Sequence, residues 1–130
     1  MPERNVVSTD RAPVAVGAYS QAIHTGDLVF TAGQLGIDPA SGEFSAPDVA
    51  GQAEQALANL SAILDAAGSG LDRLVKVTVF LADIADWPAL NDVYSRLVPE
   101  PFPARSAFAV KDLPRGARVE IEAIAIVGPG

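Results

Sequence analysis

The chain has 130 residues, of which 49% are hydrophobic, and 16 acidic against 9 basic residues give it a net charge of −7. An acidic chain lacks the positive field on which nucleic-acid binding normally relies, so the charge argues against an RNA or DNA partner. The absence of cysteine excludes disulfides, thiolate catalysis and cysteine metal sites, and it fits a reducing compartment such as the cytoplasm. We expect a single domain over residues 1–130, with no signal peptide and no membrane-spanning segment.

Three short strands are predicted near the start of the chain, at Asn5–Thr9, Tyr19–Ile23 and Leu28–Ala32. The last two flank a turn at Gly26 and are typical of a hairpin. His24 is the only histidine, so it lacks the neighbours of a metal site, and we expect it to serve the turn. Gly33 and Gly36 follow the hairpin, where a bulge or a close approach of another segment favours glycine.

Two helices are predicted further along the chain. Apolar residues recur at three- and four-residue steps from Val49 to Ala67, and Gly68 ends this pattern. Polar residues occupy the opposite face of this first helix: Gln52, Gln55, Asn59 and Asp65. The second helix follows Asp86, and the proline-rich segment VPEPFP ends it because proline cannot continue a helix.

Three more strands, Leu74–Leu81, Ala104–Val110 and Ala117–Val127, complete the order β-β-β-α-β-α-β-β. This order predicts an α+β fold in which both helices pack on one face of a mixed sheet. The other face of the sheet would remain apolar, and a symmetric oligomer is the simplest way to cover it.

Arg105 is a charged residue at the start of an apolar strand, in the stretch FPARSAFAV. Buried charges are costly unless they are paired or used. A salt bridge, within the subunit or at an interface, explains Arg105 about as well as a functional role does. In the functional interpretation, the guanidinium holds the carboxylate of a small α-keto or α-imino acid through two parallel hydrogen bonds.

Glu120 and Glu122 share one face of the last strand because side chains alternate along a strand. Taken alone, Glu120 is best explained as a solvated edge residue, and its functional alternative is to position or activate a water. If residues 111–116 turned the last two strands into a hairpin, Arg105 would lie near the far end of the last strand. The pattern therefore does not bring Arg105 and Glu120 together within one chain, and they would meet across a subunit boundary or over the sheet end.

Several blocks of the sequence resemble the Rid (YjgF) family in the same order along the chain. They are APVAVGAYSQAI, FTAGQLGIDPASGE, QAEQALANLSAIL, VKVTVFLADIADWPALNDVY and FPARSAFAV…LP…VEIEAIA. The resemblance implies a homotrimer with a chorismate-mutase-like fold, inter-subunit clefts and no cofactor. It also implies a 2-iminobutanoate/2-iminopropanoate (enamine/imine) deaminase, which hydrolyses reactive intermediates of pyridoxal-phosphate enzymes to 2-keto acids and ammonia.

The resemblance also implies roles for individual residues. Arg105 matches the arginine that binds the substrate carboxylate, and Glu120 matches the glutamate near the attacking water. Positions that line the cleft in the family correspond here to Tyr19, Gly33, Asn91 and Ala107. Position 107 is often cysteine in the deaminase subgroup, so Ala107 keeps the backbone N–H but lacks the thiol. Ala32 likewise replaces a serine or threonine, and Glu122 gains no role beyond that of a structural partner.

Two other functions are compatible with the sequence. A non-catalytic module would bind small 2-imino or 2-keto carboxylates in the same clefts. An endoribonuclease or translation inhibitor, a label that some relatives carry, is disfavoured by the net charge of −7 and by the lack of a basic stripe interleaved with aromatic residues. We expect no metal site, no nucleic-acid partner and no membrane partner.

Overall fold

The computed structural model describes residues 3–128. Seven strands form one sheet: β1 Asn5–Val7, β2 Ala22–Thr25, β3 Leu28–Thr31, β4 Gln34–Leu35, β5 Leu74–Leu81, β6 Ala104–Ala109 and β7 Val119–Ile126. Within these residues there are two α-helices, α1, Val49–Ala66, and α2, Trp87–Leu97. The predicted α+β fold with a mixed sheet and two helices is confirmed, and β4 is one short strand that the pattern did not reveal. Neither helix is both long and apolar enough to cross a membrane.

The strands are ordered β1-β2-β3-β7-β5-β6 across the sheet, and β4 pairs with β7 as well. All pairs are antiparallel except β5 and β6, which are parallel. The helix α2 supplies the crossover that two successive parallel strands require. The hairpin considered for β6 and β7 does not form, because β5 lies between these two strands.

The helices cover one face of the sheet and form the main core with alternate residues of its central strands. Val77, Val79 and Leu81 of β5 are buried there, together with Val119 and Ile121 of β7. Burying one such side chain contributes about 1.5–3 kcal/mol. Because strand side chains alternate, this core also determines which residues of β5 and β7 face away from the helices.

The polar face predicted for α1 is wrong at two positions, because Gln52 and Asn59 are 3% and 0% exposed. The Asn59 amide donates to the carbonyl oxygens of Leu35 and Ile37, at 3.1 and 2.9 Å. The Gln52 amide oxygen accepts a 2.8 Å hydrogen bond from the backbone N–H of Arg118. Both side chains satisfy backbone groups of neighbouring segments. They thereby fix the segment after β4 and the entry into β7.

The sheet face opposite the helices carries apolar side chains that nothing within residues 3–128 covers. Val6 is 68% exposed, and Phe30, Phe108 and Ile126 are 41%, 45% and 43% exposed. The strand register connects them across the sheet, since Phe30 pairs directly with Ile124 of β7. A folded monomer rarely leaves a connected apolar patch of this extent exposed, so this face indicates an interaction surface.

Candidate functional site

A cavity of about 710 Å³ opens between the loop before β2, the segment around β4 and the start of β7. Three of the predicted site residues, Tyr19, Gly33 and Glu120, line this cavity together. Its walls are mostly apolar, with contributions from Val14, Val16, Leu35, Ile37, Pro39 and Pro114. We refer to it as the Glu120 cavity.

Tyr19 lies in the loop before β2 and is 52% exposed, so it is not a core residue. Its hydroxyl oxygen accepts a hydrogen bond from the backbone N–H of Val16 at 3.4 Å. The buried Gln21 anchors this loop, because its side-chain amide donates a hydrogen bond to the carbonyl oxygen of Pro13 at 2.8 Å. Tyr19 therefore presents its ring to the cavity from an anchored loop.

Glu120 lies directly over the backbone of Gly33. A β-carbon built onto Gly33 would be 2.0 Å from Oε2 of Glu120 and 2.8 Å from its Cδ. The prediction of a close approach at this glycine is confirmed, since any larger residue would displace the carboxyl group. The same holds for Gly36, where a β-carbon would come within 2.5 Å of the Gln52 backbone.

The carboxyl group of Glu120 is partly buried rather than solvated. Burial raises the pKa of Glu120 above its ordinary value, and the negative charge of Glu122 raises it further. Both effects disfavour the charged form, the first because desolvation penalises ions and the second because like charges repel. The solvated-edge interpretation of Glu120 is therefore wrong. The structural pairing expected for Glu122 is also not found, since it forms no salt bridge within residues 3–128.

Arg105 projects from the edge strand β6 toward α2. Its guanidinium carbon lies 4.6 Å from the centre of the Trp87 ring and 4.5 Å from that of the Tyr94 ring. Cation–π contacts at these distances fix the orientation of the guanidinium group. Its N–H donors lie along the edges of the planar group, so these contacts leave them free to bind a ligand. Arg105 forms no salt bridge or side-chain hydrogen bond with any described residue, so the structural ion pair is not found within the subunit.

Asn91 and Ala107 lie on the two elements that surround Arg105, α2 and β6. Asn91 shares one face of α2 with Trp87 and Tyr94, because residues three and four apart are neighbours on a helix. Ala107 follows Arg105 on the same face of β6 and lines a shallow hollow of about 500 Å³ together with Trp87. These residues form a second group, which we call the Arg105 surface.

The Glu120 cavity and the Arg105 surface are separate within one subunit. Arg105 pairs with Val77 of β5, whose side chain is buried under the helices, whereas Glu120 pairs with Phe80 on the opposite face. Paired residues point to the same side of a sheet, so Arg105 and Glu120 lie on opposite faces, on strands separated by β5. The expectation that one chain does not bring them together is confirmed.

Sequence reasoning missed three residues of these surfaces. Trp87 and Tyr94 belong to the predicted second helix, but an aromatic helix residue that contacts a functional side chain looks the same in sequence as one that packs in the core. Arg115, in the loop between the last two predicted strands, also lines the Glu120 cavity. A charged residue in a loop is not part of any helix or strand periodicity, so the sequence pattern did not indicate a role for Arg115.

His24 and the acidic residues do not form a metal centre in the described part of the chain. The Nε2 atom of His24 lies 3.0 Å from the carbonyl oxygen of Gly26, which confirms its role in the turn between β2 and β3. Between residues 3 and 128, no three side chains of the types that bind metals converge on one point.

Comparison with known proteins connects this arrangement to a family. The family model described as Endoribonuclease L-PSP matches residues 9–127. The chain is 54% identical to the RutC family protein y4sK of Sinorhizobium fredii, over 91% of this chain and 94% of that protein. It is 51% identical to the 2-iminobutanoate/2-iminopropanoate deaminase of Capra hircus, over 97% of this chain and 92% of that protein.

A solved structure agrees with the sequence comparisons. RidA from the Antarctic bacterium Psychrobacter sp. superposes with a TM-score of 0.92 at 45% identity, covering 95% of this chain and all of the RidA chain. The family model and the full-length relatives therefore agree with the sequence blocks described above. The chain belongs to the Endoribonuclease L-PSP family, which is the Rid (YjgF) family.

Proposed function

We propose that this protein is a cofactor-independent deaminase that hydrolyses 2-iminobutanoate, 2-iminopropanoate and related 2-imino acids to 2-keto acids and ammonia. Relatives that share about half of its residues over nearly the full chain are named for this activity. The observation that carries the proposal is the environment of Arg105, a partly buried guanidinium held on two aromatic rings without a carboxylate partner among residues 3–128. A cation arranged in this way is ready to bind an anionic ligand.

In this proposal the substrate carboxylate binds to the free edge of Arg105 through two parallel charge-assisted hydrogen bonds. The backbone N–H of Ala107 and the side chain of Asn91 contact the substrate from the same surface. Fixing the carboxylate also fixes the adjacent iminium carbon, so that the reaction with a bound water becomes effectively unimolecular.

Glu120 acts on the water. Its carboxylate accepts a hydrogen bond from the water and takes up a proton as the water oxygen bonds to the iminium carbon. Protonated Glu120 then returns that proton to the amino nitrogen of the carbinolamine. The carbon–nitrogen bond breaks as the hydroxyl oxygen forms the keto group, and the hydroxyl proton ends on the departing ammonia. In balance, R–C(=NH2⁺)–COO⁻ and H2O give R–CO–COO⁻ and NH4⁺. Such imines hydrolyse unaided, so positioning and proton transfer supply a sufficient part of the barrier.

We further propose a homotrimer with a chorismate-mutase-like arrangement, in which each cleft combines the Glu120 cavity of one subunit with the Arg105 surface of its neighbour. Two observations support this assembly. The two groups of residues lie on opposite faces of the sheet within one chain, so a single chain cannot unite them. The apolar sheet face around Phe30 and Ile126 also needs a cover, and association would bury it. The absence of cysteine supports a cytoplasmic location.

The proposed activity is tested by generating 2-iminobutanoate from threonine with a purified threonine dehydratase. The added protein is expected to accelerate the appearance of 2-ketobutanoate in a concentration-dependent manner. Semicarbazide, which traps the imine, is expected to compete with this acceleration. A rate of keto-acid formation that does not change with added protein would overturn the proposal and leave the non-catalytic carboxylate-binding module as the better reading.

Gly33→Ala is expected to lower kcat about 10- to 100-fold, since a misplacement of about 1 Å in a catalytic group has effects of this size. The added methyl group would occupy the position of the Glu120 carboxyl group. KM should change little, because the carboxylate anchor Arg105 lies elsewhere. The matched control is Gly26→Ala, at a turn with φ of +56° and nothing within 4 Å of the added carbon. It should reduce stability by about 1 kcal/mol and leave kcat unchanged.

Glu122→Gln is expected to shift the acid limb of the pH profile of kcat/KM to lower pH. The charge of Glu122 helps to raise the pKa of Glu120, so neutralising it lets Glu120 ionise at lower pH. The rate on the plateau above this limb should stay the same. An acid limb that does not move in this variant would show that the limb reports a group other than Glu120.

The description of the family model also names an endoribonuclease. The net charge of −7 disfavours RNA binding. A cleft with one guanidinium group, Arg105, and one carboxyl group, Glu120, also suits a small carboxylate better than a phosphodiester backbone. RNA cleavage that persists through repeated purification and disappears in Arg105→Met would support that alternative.

A further inference from the structure

Arg115 is a cation in the wall of the Glu120 cavity for which the proposed reaction has no use. It lies in the loop before β7, beside Pro114 and opposite Gly42 and Pro39 of the turn that follows β4. It is the only positively charged residue among those described that line this cavity. Mostly apolar pockets fix a ligand through a few placed polar groups, and a guanidinium in this cavity suits an anionic group of a ligand.

The Arg115 side chain is positioned by its surroundings. Its guanidinium carbon lies 5.5 Å from the centre of the Phe44 ring, and Nη2 donates to the carbonyl oxygen of Gly42 at 3.2 Å. The backbone of Arg115 has a φ of +59°, a left-handed conformation that non-glycine residues adopt at a cost. Backbone hydrogen bonds on either side of Arg115, from Gly116 to Leu113 at 3.3 Å and from Ala117 to Pro114 at 3.1 Å, hold the turn in this conformation.

The guanidinium still has binding capacity. Its carboxylate neighbour is Glu43, with a nitrogen–oxygen distance of 3.9 Å and side chains that are 50% and 78% exposed. An exposed pair at this distance is weak, so a better-placed carboxylate would displace Glu43. One hydrogen bond to Gly42 leaves most of the five N–H donors of Arg115 available.

We propose that Arg115 forms a second carboxylate subsite, so that the cleft accepts 2-imino dicarboxylates such as 2-iminosuccinate. This inference rests on the proposed function, in which Arg105 of the neighbouring subunit holds the carboxylate next to the imine. In this arrangement the methylene group of 2-iminosuccinate packs against the apolar residues Ile37 and Pro39, and the distal carboxylate binds Arg115. 2-Iminosuccinate has the same four carbons as 2-iminobutanoate, with a carboxylate in place of the terminal methyl group, and a cavity of about 710 Å³ has room for it, since pockets of about 300–1,000 Å³ enclose much larger ligands.

The test compares two imines generated in place: 2-iminosuccinate from aspartate by an aspartate oxidase with catalase, and 2-iminobutanoate from threonine by a dehydratase. Arg115→Gln keeps an amide donor for Gly42 but removes the charge. It is expected to lower kcat/KM for 2-iminosuccinate about 10-fold, the effect of losing a hydrogen bond to a charged group. The value for 2-iminobutanoate should change less than about twofold, because that substrate has no distal carboxylate.

Two further variants separate recognition from loop structure. Arg115→Lys retains the charge and should keep most of the activity on 2-iminosuccinate. Glu43→Gln removes the competing carboxylate and should raise kcat/KM for 2-iminosuccinate about twofold without affecting 2-iminobutanoate. Equal losses on both substrates in Arg115→Gln would assign Arg115 to holding the two loops together and overturn the inference.

The wild-type protein distinguishes this inference from the function on which it rests. Acceleration of 2-iminobutanoate hydrolysis without any acceleration of 2-iminosuccinate hydrolysis would overturn the second subsite alone. Acceleration of neither would overturn the deaminase proposal and the subsite with it.

Discussion

Arg105→Met is expected to lower kcat/KM for 2-iminobutanoate about 100-fold or more, because two charge-assisted hydrogen bonds to the substrate carboxylate are lost. Methionine keeps much of the length and apolar volume of the arginine stem, so it can still pack on the rings of Trp87 and Tyr94. The loss should therefore reflect the missing charge rather than a collapse of the Arg105 surface. Coupled dehydratase assays at several substrate concentrations measure the effect.

The stability of Arg105→Met serves as its control. Arg105 has no carboxylate partner among the described residues of its own subunit, so its replacement leaves no unpaired acid within that subunit. The melting temperature should stay within a few degrees of the wild type, since a change of 1 kcal/mol corresponds to roughly 4 °C at this size. Arg105→Lys should recover only part of the activity, because an ammonium group neither stacks on the rings nor binds a carboxylate in the same bidentate way. Full activity in Arg105→Met would contradict the carboxylate-binding role.

Glu120→Gln is expected to lower kcat about 100-fold, the typical contribution of a positioned general base, while KM changes little. Glutamine keeps the shape of the side chain over Gly33 but cannot take up a proton from water. The same substitution should stabilise the fold slightly at neutral pH, because it removes a charge that burial and Glu122 both disfavour, and partial exposure to solvent keeps the effect below about 1 kcal/mol. Opposite signs for activity and stability are expected of a residue retained for chemistry.

The stabilisation by Glu120→Gln should depend on pH. Below about pH 4.3 the glutamate is protonated in both the folded and the unfolded chain, so the variant and the wild type should be equally stable. The folded chain holds its proton to higher pH because the pKa of Glu120 is raised in the folded state. As pH rises through that raised pKa, the wild type acquires the unfavourable charge and the stability difference grows to its full value. Chemical denaturation of both proteins across this range measures it, and a difference independent of pH would contradict the burial of this carboxylate.

Elements with a strong local pattern were predictable from the sequence. The strand β5 was predicted with its observed bounds, because LVKVTVFL is rich in β-branched and aromatic residues. The helix α1 was predicted to within a few residues, but Gln52 and Asn59 were not recognised as buried. A polar residue at helix spacing looks the same whether it faces water or a loop carbonyl group. The difference depends on the path of the chain after β4, which carries no periodic signal.

The arrangement of the site depended on strand order, which local patterns do not contain. Sequence alone left Arg105 equally suited to a salt bridge and to a substrate contact. Its aromatic contacts with Trp87 and Tyr94 arise because β6 runs parallel to β5 and α2 crosses between them. The sequence predicted the separation of Arg105 from Glu120, but it did so from a hairpin that does not form. In the structure the two residues are separated because they lie on opposite faces of the sheet. The roles of both residues came from the family resemblance.

The central claim is that each cleft takes Arg105 from one subunit and Glu120 from its neighbour, and mixed oligomers test it most directly. The inactive variants Arg105→Met and Glu120→Gln are co-expressed in equal amounts with different affinity tags, and the oligomers are purified as a mixture. Random assembly gives about a quarter of the clefts both intact residues, so activity should return to about a quarter of the wild-type value. If Arg105 and Glu120 instead acted within one subunit, mixed oligomers carrying both tags would remain as inactive as either variant alone.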